Sequence, residues 1–371
     1  MKQIVIIGGG ILGSSTAFHL SQQGHAVTVI DENHRGKATH AAAGIICPWV
    51  SKRRNQAWYQ LVKAGAAYYP QLMKNLQMMN QTNSGYKKTG ALWLHDREDN
   101  LMDTYGRAQQ KRLDAPEMGR VSLLSPKEVQ SHIPALAERF SGVFIEGGAR
   151  VDGMALNRSL QQAAEQHGAV FLKGRADLRR TASDQLQVIY NEEVIPSDEL
   201  VVTNGAWAKA LGDSIHLTIQ VAEQKAQIVH LQTNHDTANW PVIMPPGPQY
   251  LLAFENGKIV AGSTHEDNTQ FNPAVTAGGM NEIFSGLLDY APGLSEAEWI
   301  ETRVGFRPVV PHYLPVFGAL PEFRNVWLAN GLGSSGLTTG PYIGYLLSEL
   351  IQNRQHVDNN TLYPVSSIIG D

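Results

Sequence analysis

Cysteine is almost missing from this chain. Cys47 is the only one in 371 residues, so a disulfide within the chain and a cysteine metal site are both excluded, and a reducing compartment fits. Blocks of like charge are missing as well. With a formal net charge of −4 and no basic tail, nucleic acid is not an expected partner. No window approaches the roughly 18 uninterrupted apolar residues of a membrane span. The first residues carry one lysine and a four-residue apolar run broken by glycine, which is not the form of a secretory signal. The expected setting is therefore soluble and cytoplasmic. No histidine pair has helical metal-ligand spacing, no Gly-x-Ser-x-Gly element occurs, and no phosphate loop ends in Gly-Lys-Ser/Thr; metal-centre, hydrolase and NTPase readings fall away. What is left is an ordinary globular composition, 43% hydrophobic and 17% charged, long enough for about two domains.

The most organised stretch is Ile4–Asp31. Four apolar residues, Ile4 to Ile7, lead into Gly8-Gly9-Gly10-Ile11-Leu12-Gly13, a helical run to about Gln23, and a second apolar strand ending at Asp31. Strand, glycine turn, helix, strand, acid is the dinucleotide-binding order. Gly8 permits the tight turn, Gly10 lets a pyrophosphate approach bare backbone, and Gly13 lets helix and strand pack closely. The helix start offers free N–H groups and a partial positive charge to phosphates. Asp31 stands where a carboxylate can accept from ribose hydroxyls. The motif predicts an adenine dinucleotide and leaves open which one.

Further along, Ala38-Thr39-His40-Ala41-Ala42-Ala43-Gly44-Ile45 suits a chain passing close to a flat ligand or, alternatively, a helix start packed in the core. Helices are predicted over about 55–79, 98–113 and 153–167, with a capping box at Ser125-Pro126-Lys127-Glu128. Strands are predicted at 87–95, 142–145, 168–172 and 200–203, the last followed by the turn Asn204-Gly205-Ala206-Trp207. From about Thr218 successive strands take over, with a hairpin turn at Glu255-Asn256-Gly257. A strand over 299–304 leads to Gly305-Phe306-Arg307-Pro308, where Pro308 is expected to fix a turn. The apolar strand 326–329 runs into Asn330-Gly331-Leu332-Gly333-Ser334-Ser335-Gly336, and a helix is expected to begin near Pro341. The predicted fold is α/β. A Rossmann-type domain is assembled from 1–84, 142–217 and 303–371, and an antiparallel-sheet α+β substrate domain is inserted as 85–141 and 218–302. A ligand gripped by the first strand, a mid-chain turn and a C-terminal glycine loop is long, which argues for FAD over NAD.

These elements, Gly8–Gly13 with Asp31, Thr39–Gly44, Asn204–Trp207, Gly305–Pro308 and Gly331–Gly336, stand in an order and at separations that resemble the FAD-dependent D-amino-acid oxidase superfamily, glycine oxidase and sarcosine oxidase within it. The resemblance implies backbone N–H groups of Ile11 and Leu12 at the pyrophosphate, with Asp31 and Glu32 at the ribose. It places Thr39 and Ala43-Gly44-Ile45 along the pyrophosphate and flavin, Gly205 at the mid-chain turn, and Leu332, Gly333, Ser334, Ser335, Gly336, Leu337 and Thr338 under the isoalloxazine. The helix after that loop aims its positive end at the flavin edge where charge appears on reduction. Arg307 is implied as the clamp on a substrate carboxylate, since a planar fork of donors matches a carboxylate; its alternative is a structural ion pair. Tyr250 matches a tyrosine on the same carboxylate, or is an ordinary cross-strand tyrosine.

The implied activity is oxidation of the α-carbon–nitrogen bond of a small amino acid or N-alkyl amino acid, with hydride transfer to flavin N5 and reoxidation by oxygen or another acceptor. No protein base is required, and none is identified. Ser334 and Ser335 stand where glycine oxidases carry a second arginine, and Ser334 is expected to contact the substrate as well as the cofactor. No cysteine lies where sarcosine oxidases tether flavin, so FAD is expected to be non-covalent, with Cys47 a buried small residue and His40 packing near the ring. His265 and His312 either line the substrate cavity or are structural. A 2-hydroxy-acid oxidase or dehydrogenase and a non-catalytic flavin subunit of a larger complex remain as alternatives.

Overall fold

The computed structural model describes residues 1–182, 185–353 and 361–370. Two large sheets organise it. The first has six strands in the order 316–319, 326–330, 199–202, 3–7, 26–31, 170–173. The strand β1 (Gln3–Ile7) lies near its centre and pairs in parallel with Glu199–Val202 on one side and with β2 (Ala26–Asp31) on the other. Only Val316–Ala319 runs antiparallel to its neighbour. A strand covered on both faces has to be apolar throughout, and Ile4 to Ile7 are all buried. Ile4 and Ile6 join one core with the helices α1 (Ile11–Gln22), Gly153–Gln166 and Gly336–Gln352. Val5 and Ile7 join a second core with Leu200, Val202, Leu328 and the meander residues Leu186 and Val188.

The second sheet follows the order 266–267, 222–232, 258–262, 250–253, 242–244, 91–95, 141–145, 121–124, with Glu298–Val309 also paired to Ala222–Gln232. It is antiparallel apart from the pair 242–244 with 91–95. One face is closed by the helices Pro126–His132 and Ala277–Tyr290 through Val129, Ile283 and Leu287. The expected domain junctions at 142 and 303 fall at Ser141–Ile145, whose partners are strands of this larger sheet, and inside Glu298–Val309.

The local signals for helix starts are realised. Asn55, Ser125 and Asp152 accept hydrogen bonds from the backbone of Trp58, Glu128 and Ala155, and Glu128 returns the bond to Ser125. Two local expectations are corrected. Gly305–Pro308 is no turn: the strand runs unbroken from Glu298 to Val309, with Arg307 opposite Gln224 and Pro308 opposite Glu223. On its other side the Phe306 N–H donates to the Gly36 carbonyl at 2.9 Å. The last helix begins at Gly336, five residues before Pro341, so the proline sits inside it. Proline has no N–H for the carbonyl four residues earlier, which is Leu337's. The buried Tyr69 hydroxyl donates to that carbonyl instead.

Candidate active site

A cavity of about 360 Å³ lies at the carboxyl ends of β1, Glu199–Val202 and Val326–Asn330, and reaches the large sheet at Ala226, Tyr250 and Arg307. That is the place where open α/β sheets bind ligands. Its first wall is bare backbone. Gly8 has φ +106°, and a Cβ on it would stand 2.7 Å from the backbone of Thr203 and Asn204. A Cβ on Gly13 would stand 1.8 Å from the Gly8 carbonyl, so α1 can lie this close to β1 only with glycine there. Gly8, Gly10, Ile11 and Leu12 line the cavity, while Gly13 does not and serves packing alone.

Two helices begin at this cavity. Neither α1 nor Gly336–Gln352 has a side-chain cap at its N-cap residue or an acidic residue in its first turn. The Ile11 N–H donates to Thr39 Oγ1 at 3.1 Å. Two uncapped helix starts facing one cavity suit an anionic ligand. On the same wall Asn204 Oδ1 is buried with no partner among the described residues, a polar atom that a ligand donor would satisfy. The Asp31 carboxylate accepts from Gly9 N at 2.6 Å and Asn33 N at 2.6 Å, and pairs with Lys37 at 2.6 Å. Burial opposes its ionisation, but Lys37 and the two amides win and hold its pKa below the ordinary value.

Asp31, Glu32, Thr39, Ala43, Gly44, Ile45, Gly205, Leu332, Gly333, Ser334, Gly336, Leu337 and Thr338 all line the cavity. Ser335 does not; it is buried and its hydroxyl donates to the Leu332 carbonyl at 2.8 Å. At the far end Arg307 Nη2 donates to Ser263 Oγ at 2.7 Å and Nη1 to Gln224 Oε1 at 3.3 Å. Burial lowers the Arg307 pKa, and the neighbouring Tyr250 opposes that shift. Burial likewise raises the Tyr250 hydroxyl, against the pull of Ser263 and Arg307 beside it. Among the described residues no carboxylate forms an ion pair with Arg307. His40 lines a neighbouring cavity rather than this one, His312 is exposed, and His265 lies off the wall, its ring partly desolvated, which with nearby Arg307 lowers its pKa. Cys47 is buried and does not line the cavity; desolvation raises its thiol well above the ordinary value.

Several lining residues had no signal in the motif search. Gly174–Asp177 line the cavity beyond the strand Val170–Lys173, and the position of that strand beside β2 could have found them. His34 stacks on Trp207 with ring centroids 4.5 Å apart and planes 6° apart. Gln224 and Ser263, which orient Arg307, come from strand pairings far apart in sequence and carry no local mark.

The matching family model is that of FAD dependent oxidoreductases, and it covers residues 3–350. The chain belongs to this family. Among its relatives is YurR of Bacillus subtilis, an uncharacterized oxidoreductase 47% identical over 96% of both chains. The iminodiacetate oxidase of Chelativorans sp. BNC1 is 40% identical, superposes with a TM-score of 0.92, and is matched over 94% of this chain and 95% of its own. The glycine oxidase of Pseudomonas putida is 25% identical along the full length of both. As in other FAD-dependent members, the fold is a Rossmann FAD domain joined to a substrate domain, and the uncapped helix starts, the bare glycine wall and the orphaned Asn204 oxygen fit that cofactor. Among the described residues no helix is long and apolar enough to cross a membrane, and no cluster of potential metal ligands is found.

Proposed function

We propose that this FAD-dependent amino-acid oxidoreductase acts on the α-carbon–nitrogen bond of a small amino acid or N-alkyl amino acid, whose carboxylate Arg307 holds. The observation that supports it most is the state of Arg307. A largely buried guanidinium whose partners among the described residues, Ser263, Gln224 and Tyr250, are all neutral leaves a charge that a substrate carboxylate compensates. Its remaining donors form a fork of the right shape. Tyr250 adds a hydroxyl to the same carboxylate. Two points held on one side of the substrate fix the α-carbon relative to the cavity floor, and positioning of this kind is the main contribution asked of the protein. Bound FAD supplies the hydride acceptor, and oxygen or another acceptor restores it. With His40 and Cys47 both off this cavity's wall, we take the flavin to be held without a covalent bond. The six-stranded sheet and its helices hold the cofactor, and the large sheet supplies the substrate residues.

The names of the relatives point the same way, since glycine and iminodiacetate are both small α-amino carboxylates. The test is an anaerobic panel of amino acids, N-alkyl amino acids and 2-hydroxy acids against the flavin-loaded protein. Bleaching by the amines and not the hydroxy acids is expected. Bleaching by hydroxy acids alone would move the assignment to that class, and no bleaching by either would make the chain a flavin carrier.

A further inference from the structure

The large sheet is irregular just behind Arg307. Lys258–Gly262 and Glu266–Asp267 both pair with Ala222–Gln232, Gly262 standing opposite Ile228 and Glu266 opposite Lys225. Three residues, Ser263, Thr264 and His265, therefore span the two positions Gln227 and Ala226, which is the arithmetic of a β-bulge. Arg307, Ala226 and Tyr250 line the cavity from one face of this sheet, and Gly262, opposite Tyr250, lies on that face. Strict alternation would send the next side chain, Ser263, to the other face. The bulge re-aims it, and Arg307 Nη2 donates to Ser263 Oγ at 2.7 Å. Ser263 is fully buried and does not line the cavity. It acts from behind.

On the reverse face a polar network fixes the bulge. Thr264 Oγ1 accepts from the Gln227 N–H at 3.0 Å and donates to Glu266 Oε1 at 2.6 Å. Gln227 Nε2 donates to the same carboxylate oxygen at 2.7 Å, and Lys225 Nζ pairs with the other at 3.2 Å. Lys225, Gln227 and Thr264 are buried. Burial opposes the ionisation of Glu266, but the bonds from Gln227, Thr264 and Lys225 outweigh it and lower its pKa. A charged pair in a sheet core is seldom more stable than apolar packing, and none of these four residues lines the cavity. What they hold is the segment that carries Ser263.

Counting protons gives Ser263 a task. A guanidinium only donates, whereas a serine hydroxyl has one proton and two acceptor positions. With Arg307 on one acceptor position, the Ser263 proton is available to the Tyr250 oxygen, which is a hydrogen-bond partner of both Ser263 and Arg307. An oxygen that accepts from both keeps its own proton for the cavity that Tyr250 lines.

We propose that Ser263 is a positioning residue that sets the polarity of the carboxylate clamp: it accepts from Arg307 and donates to Tyr250, so that the Tyr250 hydroxyl is left to donate to the substrate. Thr264 and Glu266 keep Ser263 in that place from the reverse face. This rests on the reading of Arg307 as the clamp.

The flavin-loaded protein is titrated with acetate, read from the perturbed flavin spectrum, and reduced anaerobically by glycine, which gives an apparent Kd and a limiting rate. Ser263→Ala is expected to weaken both ligands about tenfold, the worth of one hydrogen bond to a charged group, with flavin content kept and the limiting rate falling far less. Because Ser263 acts through Tyr250, combining Ser263→Ala with Tyr250→Phe should lose little more than Tyr250→Phe alone, whereas independent losses would multiply to about a hundredfold. Thr264→Val should weaken acetate in the same direction, and Thr264→Ser, which keeps the hydroxyl, should restore it. Wild-type acetate binding in Ser263→Ala overturns the proposal. So do multiplied losses in the double variant, or a Thr264→Ser protein as weak as Thr264→Val. Arg307→Ala is measured beside them. If it weakens acetate and Ser263→Ala does not, the clamp stands and only the task given to Ser263 falls. If Arg307→Ala changes nothing, or neither ligand acts on the wild-type flavin, the clamp reading falls and this proposal with it.

Discussion

The two ends of the main cavity are made by opposite means. At the Gly8–Leu12 end the wall is main chain, shaped by side chains that are missing: a Cβ at Gly8 or Gly13 has no room. At the Arg307 end the wall is side chains with charge, held by hydrogen bonds between strands. The first end is steric and tolerates almost no substitution. The second is electrostatic and can be altered in steps. The lesson is that cofactor retention and substrate recognition should separate cleanly under mutation.

The largest expected effect is at the steric end. Gly13→Ala places a methyl 1.8 Å from the Gly8 carbonyl and 2.6 Å from Thr203 Oγ1, an overlap beyond the roughly 1–3 kcal/mol of ordinary overpacking. The purified variant should carry no flavin, read from its visible absorbance; a yellow, normally active variant would break the comparison. Next comes Arg307→Ala. Losing one partner of a buried charged contact costs about 2–5 kcal/mol, which corresponds to at least about thirtyfold weaker substrate binding. Flavin content should stay at the wild-type level, and anaerobic titration checks both halves of the statement. Tyr250→Phe should lose about tenfold, the worth of one hydrogen bond to a charged group at about 1.5 kcal/mol, with flavin again retained.

Tyr69→Phe sharpens the comparison, because here a side chain serves the main-chain end. It leaves the Leu337 carbonyl buried without a donor, costing roughly 1–3 kcal/mol, and thermal unfolding should fall by a few degrees with kinetics nearly intact. A further effect is expected from pH. Burial lowers the His19 pKa from 6.5 to about 4, so between those values the unfolded chain takes up a proton that the folded one refuses. Stability is therefore present above pH 6.5 and declines as pH falls toward 4. His19→Gln should flatten that slope in denaturant titrations; an unchanged slope would assign it to other groups.

The same contrast explains what could be read from the chain. Gly8, Gly10, Gly13 and Asp31 lie within one βαβ unit, so their geometry is written in a local string. The capping box at Ser125 was legible for the same reason. The strand through Arg307 was not, because its continuity depends on Ala222–Gln232, and nothing near Pro308 says that a partner strand waits there. Local chemistry even argued for a turn, and pairing across the sheet overrode it. The last helix was placed too late because Pro341 reads as a first-turn residue. Tyr69, 268 residues before the Leu337 carbonyl, makes an interior proline acceptable by taking over the vacant carbonyl. Ser263 and Gln224 were invisible since their role exists only once three strands are side by side.

The order of β1 and its neighbours also has a consequence for synthesis. The first wall of the cavity is at residues 8–12 and its last is at 332–338. On a ribosome moving at about 5–20 residues per second, these walls appear roughly 15–60 s apart. Until the final glycine loop emerges, the nascent chain holds the fingerprint with nothing to close it. Flavin capture therefore waits for residues 332–338, and a chain cut short before residue 332 leaves the ribosome with half of a binding site and no cofactor.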